Sequence, residues 1–191
     1  MLIGLGTGAI VGIVIAVIVV LILIWLASTY NGLIRKRNTC EEAFSTMDVY
    51  LKKRFDLIPN LVSTVKGYAK HESETLEKVI AARNSGATQT VEERMQDENQ
   101  ITGALRQIFA LSENYPDLKA NQNFLDLQGQ LKTIEADIAN ARKYYNGAVK
   151  EFNNACEQVP SNIVANMFHF ERKPMFEVKE EAERENVKVE F

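Results

Sequence analysis

The chain has 191 residues, 25 Asp and Glu against 22 Lys and Arg, and a formal net charge of −3. Without a basic excess to neutralise phosphates, it is a poor candidate for nucleic-acid binding. The charges are also unevenly placed, because no Asp, Glu, Lys or Arg occurs before Arg35. This asymmetry predicts a membrane segment joined to one polar-surfaced globular domain.

Residues 2–26 form an apolar run that, as a helix, would be about 37 Å long at 1.5 Å per residue. The hydrocarbon core of a bilayer is only about 30 Å thick. The run has no preceding Lys or Arg and is too long for the apolar part of a cleaved signal peptide. We therefore predict a permanent single-pass transmembrane anchor over residues 1–29, in contact with membrane lipid.

Aromatic and basic residues mark the end of this run. Trp25 and Tyr30 lie where the run meets water, and a basic cluster follows at Arg35, Lys36 and Arg37. The N-terminal side of the run has no basic residue. Basic clusters of this kind favour the cytoplasmic side. We predict an outside N-terminus and a cytoplasmic C-terminal domain; a periplasmic domain stays open, because the orientation depends on one cluster.

Small residues recur at every fourth position of the anchor: Gly4, Gly8, Gly12 and Ala16. On a helix they share one stripe, along which a second backbone can approach closely. Glycine is common in membrane helices, but three overlapping pairs of this spacing favour self-association. We predict a homo-oligomer whose membrane helices touch.

Beyond residue 33 the apolar positions advance mostly by threes and fours, which predicts amphipathic helices. One stretch runs to about residue 83 and contains Pro59. A second starts at Val91 and ends at Asn114-Tyr115-Pro116, and a third runs from Asp117 to Pro160. A short apolar helix over residues 161–168 could complete the set. The fold class is all-α: a single N-terminal transmembrane helix, then an elongated antiparallel three- or four-helix bundle with very long helices over residues 30–168, and a short extended charged tail over residues 169–191.

The first stretch is much longer than the second, so part of its apolar seam needs another partner. Either Pro59 splits it into two bundle helices, or residues 33–55 pack against the third stretch and against neighbouring copies. A kink near Pro59 is expected in the second case.

The tail loses the helical period, and residues 187–191 alternate like a strand. It either docks or awaits a partner.

Motifs for catalysis and metal binding are incomplete. His71 and Glu72 begin an HExxH-like string, but position 75 is Thr and the other histidine is distant, at position 169. No phosphate-binding loop or nucleophile elbow occurs in the soluble part. Cys40 and Cys156 lack the spacing of a redox pair and are interpreted as buried thiols. We therefore predict no catalytic residue, metal, cofactor or small-molecule substrate.

A long series of motifs closely resembles the signature of the LemA family of bacterial proteins. The matching strings include Tyr30-Asn31, Met47-Asp48-Val49, Leu51-Lys52-Lys53-Arg54, Asp56-Leu57-Ile58-Pro59-Asn60-Leu61-Val62, Val65-Lys66-Gly67-Tyr68-Ala69, His71-Glu72, Ala141-Arg142-Lys143-Tyr144-Tyr145-Asn146 and Pro160-Ser161-Asn162. Two departures, Val159 and His169, fall near the tail. The resemblance implies a single-pass bacterial plasma (inner) membrane protein with an outside N-terminus, a helical bundle and no known catalytic activity. It also suggests envelope protein quality control and a membrane zinc metalloprotease of the HtpX type as a partner.

Several polar residues flank or interrupt the seam of the first stretch: Asp48, Arg54, Asp56, Asn60 and Glu72. Pro59 lies among them. One interpretation is that they form ion pairs that fix the register of the bundle. The other is a polar contact strip between protomers, or with a partner protease, beside Pro59. The leading functional hypothesis is a non-catalytic, membrane-anchored scaffold or adaptor that homo-oligomerises and organises membrane. The alternative is a sensor that transmits a signal through the long first helix.

Overall fold

A computed structural model describes residues 6–69, 72–84 and 91–176, and these ranges contain α-helices and no strand. The helices are α1 (Thr7–Tyr68), α2 (Ser73–Asn84), α3 (Val91–Ser112), α4 (Pro116–Lys119), α5 (Gln122–Glu157) and α6 (Ser161–Met167). The all-α class with one long apolar N-terminal helix and long packed helices is confirmed. The chain divides into two compact units, which are described separately.

The first unit comprises Met1–Glu42 and Gly147–Lys173. Its part of α1 carries the one stretch, among the described residues, that is long and apolar enough to cross a membrane. The large apolar side chains between Ile10 and Ile24 are all exposed, so none of the described residues covers them. Further along, all three helices of the unit contribute buried side chains: Leu33, Cys40, Val149, Phe152, Cys156, Val164 and Ala165.

The second unit comprises Ala43–Asn146 and Pro174–Phe191. Its contacts show that α1 and α5 run antiparallel. As the residue numbers rise along α1, the numbers of the contacted residues in and just before α5 fall. The contacting pairs are Phe44 with Tyr145, Arg54 with Glu135 and Tyr68 with Asn121. The predicted packing of the membrane-proximal seam against the third stretch is therefore observed in this unit.

Helix α3 runs in the same direction as α1. Arg54 of α1 contacts Glu98 near the start of α3, and Glu72, just beyond α1, contacts Tyr115, just beyond α3. Helix α2 lies between these two helices in the chain and packs against α3. Within the second unit, the fourth bundle helix is thus α2. The predicted short helix over residues 161–168 exists as α6, but it belongs to the first unit.

A large apolar cluster in the second unit is drawn from α1, α2, α3, α4 and α5. Its fully buried side chains include Leu61, Val65, Ile108, Leu118 and Leu131. Burying each such side chain contributes roughly 1.5–3 kcal/mol to folding. The helical spacing of these residues is the reason that the sequence forms long helices with one apolar face.

Proline 59 does not split the first stretch, because α1 continues through it to Tyr68. The ring is exposed, so helix packing on the buried face is uninterrupted. The prediction of one helical stretch reaching residue 83 is wrong, since α1 ends at Tyr68 and α2 begins at Ser73. Gly67 lies in the last turn of α1, where its low helix propensity favours an end.

The third stretch also begins differently from the prediction. Residues 116–119 form the short helix α4, with Pro116 at its first position, and α5 begins only at Gln122. Asn121 lies between them and its side-chain oxygen accepts a hydrogen bond from the Phe124 amide at 3.0 Å. Such a side-chain cap favours a new helix start at this point.

Candidate functional site

Arg54 is the most deeply buried charged residue that the structure describes, with a relative exposure of 0%. One terminal nitrogen donates to Glu135 Oε1 at 2.6 Å and to Thr102 Oγ1 at 2.8 Å. The other donates to the carboxylate and, at 3.3 Å, to the main-chain oxygen of Glu98. The guanidinium therefore ties α1 to both α3 and α5.

A second arginine lies close enough to this cluster to interact with it electrostatically. Burial, followed by repulsion from Arg54, lowers the pKa of Arg142 to about 10, while Glu135 acts in the opposite sense. The guanidinium carbon lies 4.3 Å from the ring centroid of Phe176, and Nε and Nη2 have no hydrogen-bond partner in the structure. Two arginines and two glutamates thus form a formally neutral cluster in the interior of the second unit.

Three of the other polar residues singled out in the sequence lie on the exposed side of α1: Asp56, Pro59 and Asn60. Asp56 pairs with Lys52 at 3.1 Å within the same helix. Asp48 is half-buried. Glu72 accepts a hydrogen bond from the Tyr115 hydroxyl at 3.0 Å, and this bond raises the pKa of Tyr115. Arg54 and Glu72 therefore make contacts inside the bundle, whereas Asp56, Pro59 and Asn60 face outward.

A mostly polar groove adjoins this exposed side in the second unit. It has a volume of about 420 Å³ and is lined by Asn60, Ser63, Thr64, Asn123, Asp126, Leu127 and Gln130. Amides, hydroxyls and one carboxylate dominate the lining. Such a surface suits hydrogen bonding to another protein better than binding of an apolar ligand, because small-molecule sites are mainly lined by apolar side chains.

The residues assigned to the membrane boundary lie in the first unit. Trp25 and Tyr30 are half-buried, and Arg35 and Arg37 are exposed. Lys36 instead pairs with Glu151 of α5 at 2.7 Å. This pairing lowers the pKa of Glu151. One of the three basic residues is thus engaged in helix packing.

The part of the glycine stripe that the structure describes is exposed. Gly8, Gly12 and Ala16 are exposed, and a Cβ added at either glycine would meet no atom within 4 Å. Gly4 lies outside the described residues. No described part of the chain therefore packs so closely against Gly8 or Gly12 that only glycine would fit there.

After α6 the chain continues without secondary structure through Phe176 and is held by asparagine side chains of α5. In the first unit, Asn153 donates to the Lys173 carbonyl and accepts from its amide, both at 2.9 Å. In the second unit, Asn146 makes the same pair with Phe176, at 2.9 and 2.7 Å. The predicted extended tail is thus docked as far as residue 176, while the acidic part and the predicted strand at residues 187–191 lie outside the described residues.

Sequence reasoning did not single out these asparagines for a role, nor Glu98 and Glu135. The sequence feature that could have identified them is a pair of asparagines beside the apolar seam of α5, seven residues apart at positions 146 and 153. Residues seven apart lie on nearly the same helix face. A paired set of this kind indicates a surface that binds a main chain.

The two thiols are buried and free, as predicted. Burial raises the pKa of both Cys40 and Cys156. Since the thiolate is the reactive form, we expect neither thiol to react with Ellman's reagent at neutral pH during the time in which an unfolded chain reacts fully. The measurement is a thiol titration with and without denaturant, and fast labelling of the folded chain would contradict the prediction.

The described residues contain no group of three or more His, Cys, Asp or Glu placed to hold a metal ion. His169 is exposed, at the end of the turn after α6, with a φ of 55°. Charged side chains of the described residues form ion pairs with one another, among them Lys36 with Glu151, Arg54 with Glu98 and Lys119 with Glu113. Their arrangement can fix helix register and present a polar surface.

These features define an all-helical protein with one candidate membrane span and a bundle organised around a buried ion cluster. The family model of the LemA family matches residues 43–191. The chain is also 28% identical over 156 residues to Protein LemA of Metamycoplasma hominis, an alignment that covers 78% of this chain and 69% of that protein. The chain belongs to the LemA family.

Proposed function

We propose that this protein is a non-catalytic, membrane-anchored helical scaffold or adaptor that homo-oligomerises and organises the membrane around it. The observation that carries the proposal is the exposed, uncharged surface of α1 between Ile10 and Ile24, which continues as the same helix into a packed domain. A surface of that size and polarity is unfavourable in water and favourable in lipid. The basic residues after Tyr30 favour a cytoplasmic domain at the bacterial plasma (inner) membrane.

Self-association through the span is supported by the open space at Gly8 and Gly12. In lipid, helix association depends on close packing, and small residues permit it. A helix that exposes two glycines four residues apart therefore offers a second copy a flat surface. The exposed strip of Asp56, Pro59 and Asn60, with its adjoining groove, offers a polar surface to a partner, for which a membrane zinc metalloprotease is our candidate in envelope protein quality control.

The test is the double substitution Gly8→Ile and Gly12→Ile in the full chain. Because a Cβ added at either glycine would meet no atom of the described residues within 4 Å, we expect the fold to be unchanged and the oligomer to dissociate to smaller species. The measurement is the mass of the protein in detergent or nanodiscs, with circular dichroism to monitor helicity.

The matched control adds bulk to the opposite face of the same helix. Val14→Phe and Val17→Phe lie about half a turn away from the stripe, so we expect them to leave the oligomeric mass unaltered. Equal masses for the wild type, the stripe variant and the control would contradict association through the span.

A second function, signal transmission, is favoured by one observation. Helix α1 is unbroken from Thr7 to Tyr68, through Pro59. A continuous helix is able to transmit a displacement of its outer end. The scaffold remains the preferred proposal, because the exposed glycines at positions 8 and 12 and the polar groove of the second unit each offer a contact surface to another protein.

A further inference from the structure

Helix α6 has apolar residues on two sides. Val164 and Ala165 are fully buried and attach the helix to the first unit. On the outer side, Val159, Ile163 and Met167 are 80%, 54% and 56% exposed. Ile163 and Met167 are four residues apart on α6 and so share one face, and Val159 lies in the turn just before the helix. None of the described residues covers this apolar surface.

Ring contacts place α6 at the end of the candidate span. Phe168, the residue after α6, lies 4.7 Å from Tyr30 between ring centroids, and Phe170 lies 5.8 Å from Tyr30. If the hydrocarbon core begins at Ile10, its thickness of about 30 Å corresponds to roughly 20 helical residues. Tyr30 then stands at the boundary between hydrocarbon and headgroups, and Phe168 lies at the same depth.

The charges around α6 are also those of a boundary segment. Residues 159–169 contain no Asp, Glu, Lys or Arg, so the helix has no charge to desolvate. Arg35 and Arg37 of α1 are exposed just beyond Tyr30, and the Arg37 guanidinium lies 5.8 Å from the Phe170 ring centroid. Apolar side chains with basic residues on the aqueous side are the pattern of interfacial helices.

We propose that the outer face of α6, with Val159, Ile163 and Met167, lies in the headgroup region of the lipid bilayer as a second membrane contact. The inference rests on the proposed anchoring of α1 in a membrane. Its occupant is a lipid surface rather than a second copy, because the face adjoins the end of the span and residues 159–169 carry no Asp, Glu, Lys or Arg. Insertion to a depth of about 5–10 Å is expected for such a segment.

The experiment uses the full chain in vesicles of phosphatidylcholine and phosphatidylglycerol, with a nitroxide attached to single introduced cysteines. Ile163→Cys and Met167→Cys report on α6, Ile18→Cys reports on the span, and Lys150→Cys, exposed on α5 beside Glu151, reports on the aqueous side. The native thiols are buried, and the wild-type chain treated in the same way gives the background label. Collision with oxygen measures lipid exposure, and collision with a water-soluble nickel chelate measures water exposure.

We expect the ratio of oxygen to nickel collision at positions 163 and 167 to be several-fold higher than at position 150 and to stay below that at position 18, which lies deeper in the bilayer. Strong nickel collision at 163 and 167, with a lipid-exposed position 18, would overturn the contact of α6 while leaving the anchor intact. Nickel collision at position 18 as well would overturn the anchoring itself. Protection of 163 and 167 from both reagents would assign the face to a second protein and overturn the lipid contact.

Discussion

Replacing Arg54 with Met is expected to lower the free energy of unfolding of the second unit by about 3–5 kcal/mol. The substitution removes the guanidinium and leaves Glu98, only 8% exposed, as a buried carboxylate without its cation. It also removes donors from Glu135 and Thr102. The measurement is urea denaturation of the full chain in detergent micelles, followed by circular dichroism.

Two further variants separate the buried charge from simple loss of contacts. Lys52→Ala removes the exposed pair with Asp56, and its effect should stay within about 0.5 kcal/mol. Adding Glu98→Gln and Glu135→Gln to Arg54→Met should restore part of the stability, because it removes the uncompensated charges. An Arg54→Met protein as stable as the wild type would contradict a register-fixing role for this residue.

Replacing Phe152 with Ala is expected to destabilise the first unit by about 3–5 kcal/mol. The side chain is 1% exposed, and its ring centroid lies 6.3 Å from that of Phe170, so truncation leaves a cavity and frees the docked segment. The measurement is amide hydrogen exchange of the full chain, read at residues 147–157 of α5.

The matched control is Asn154→Ala, which changes an exposed residue of the same helix and should alter exchange by at most about 0.5 kcal/mol. Equal protection in Phe152→Ala and Asn154→Ala would show that the aromatic contacts do not hold this unit together. Faster exchange in the first variant alone is the expected outcome.

The helices were predictable because their apolar positions repeat with a helical period. Leu33, Cys40, Met47, Leu51 and Ile58, all buried, belong to the predicted seam. The same period hid the break at residues 69–72, since Ala69 and Leu76 are seven apart and fit one face on either side of it. Periodicity reports which face is buried, not whether the main chain turns back.

The burial of Arg54 was not predictable from one sequence. An arginine beside an apolar seam is usually exposed, and its burial depends on Glu98 and Glu135, which lie 44 and 81 residues away. Pairing across such separations is a property of the tertiary structure. Conversely, Asp56, Pro59 and Asn60 fall within the same motif and face outward, because adjacent helical positions point in different directions.

The docking of the C-terminal segment by asparagine has a consequence for its sequence. An asparagine amide is chemically a peptide group, so Asn153 and Asn146 recognise the main chain at Lys173 and Phe176 and not their side chains. Each of these two positions must supply an N–H, which every residue except proline possesses. Pro174 is compatible because only its carbonyl is used, as the acceptor for the Tyr145 hydroxyl. Any residue except proline can therefore make these main-chain hydrogen bonds at positions 173 and 176, whatever its side chain.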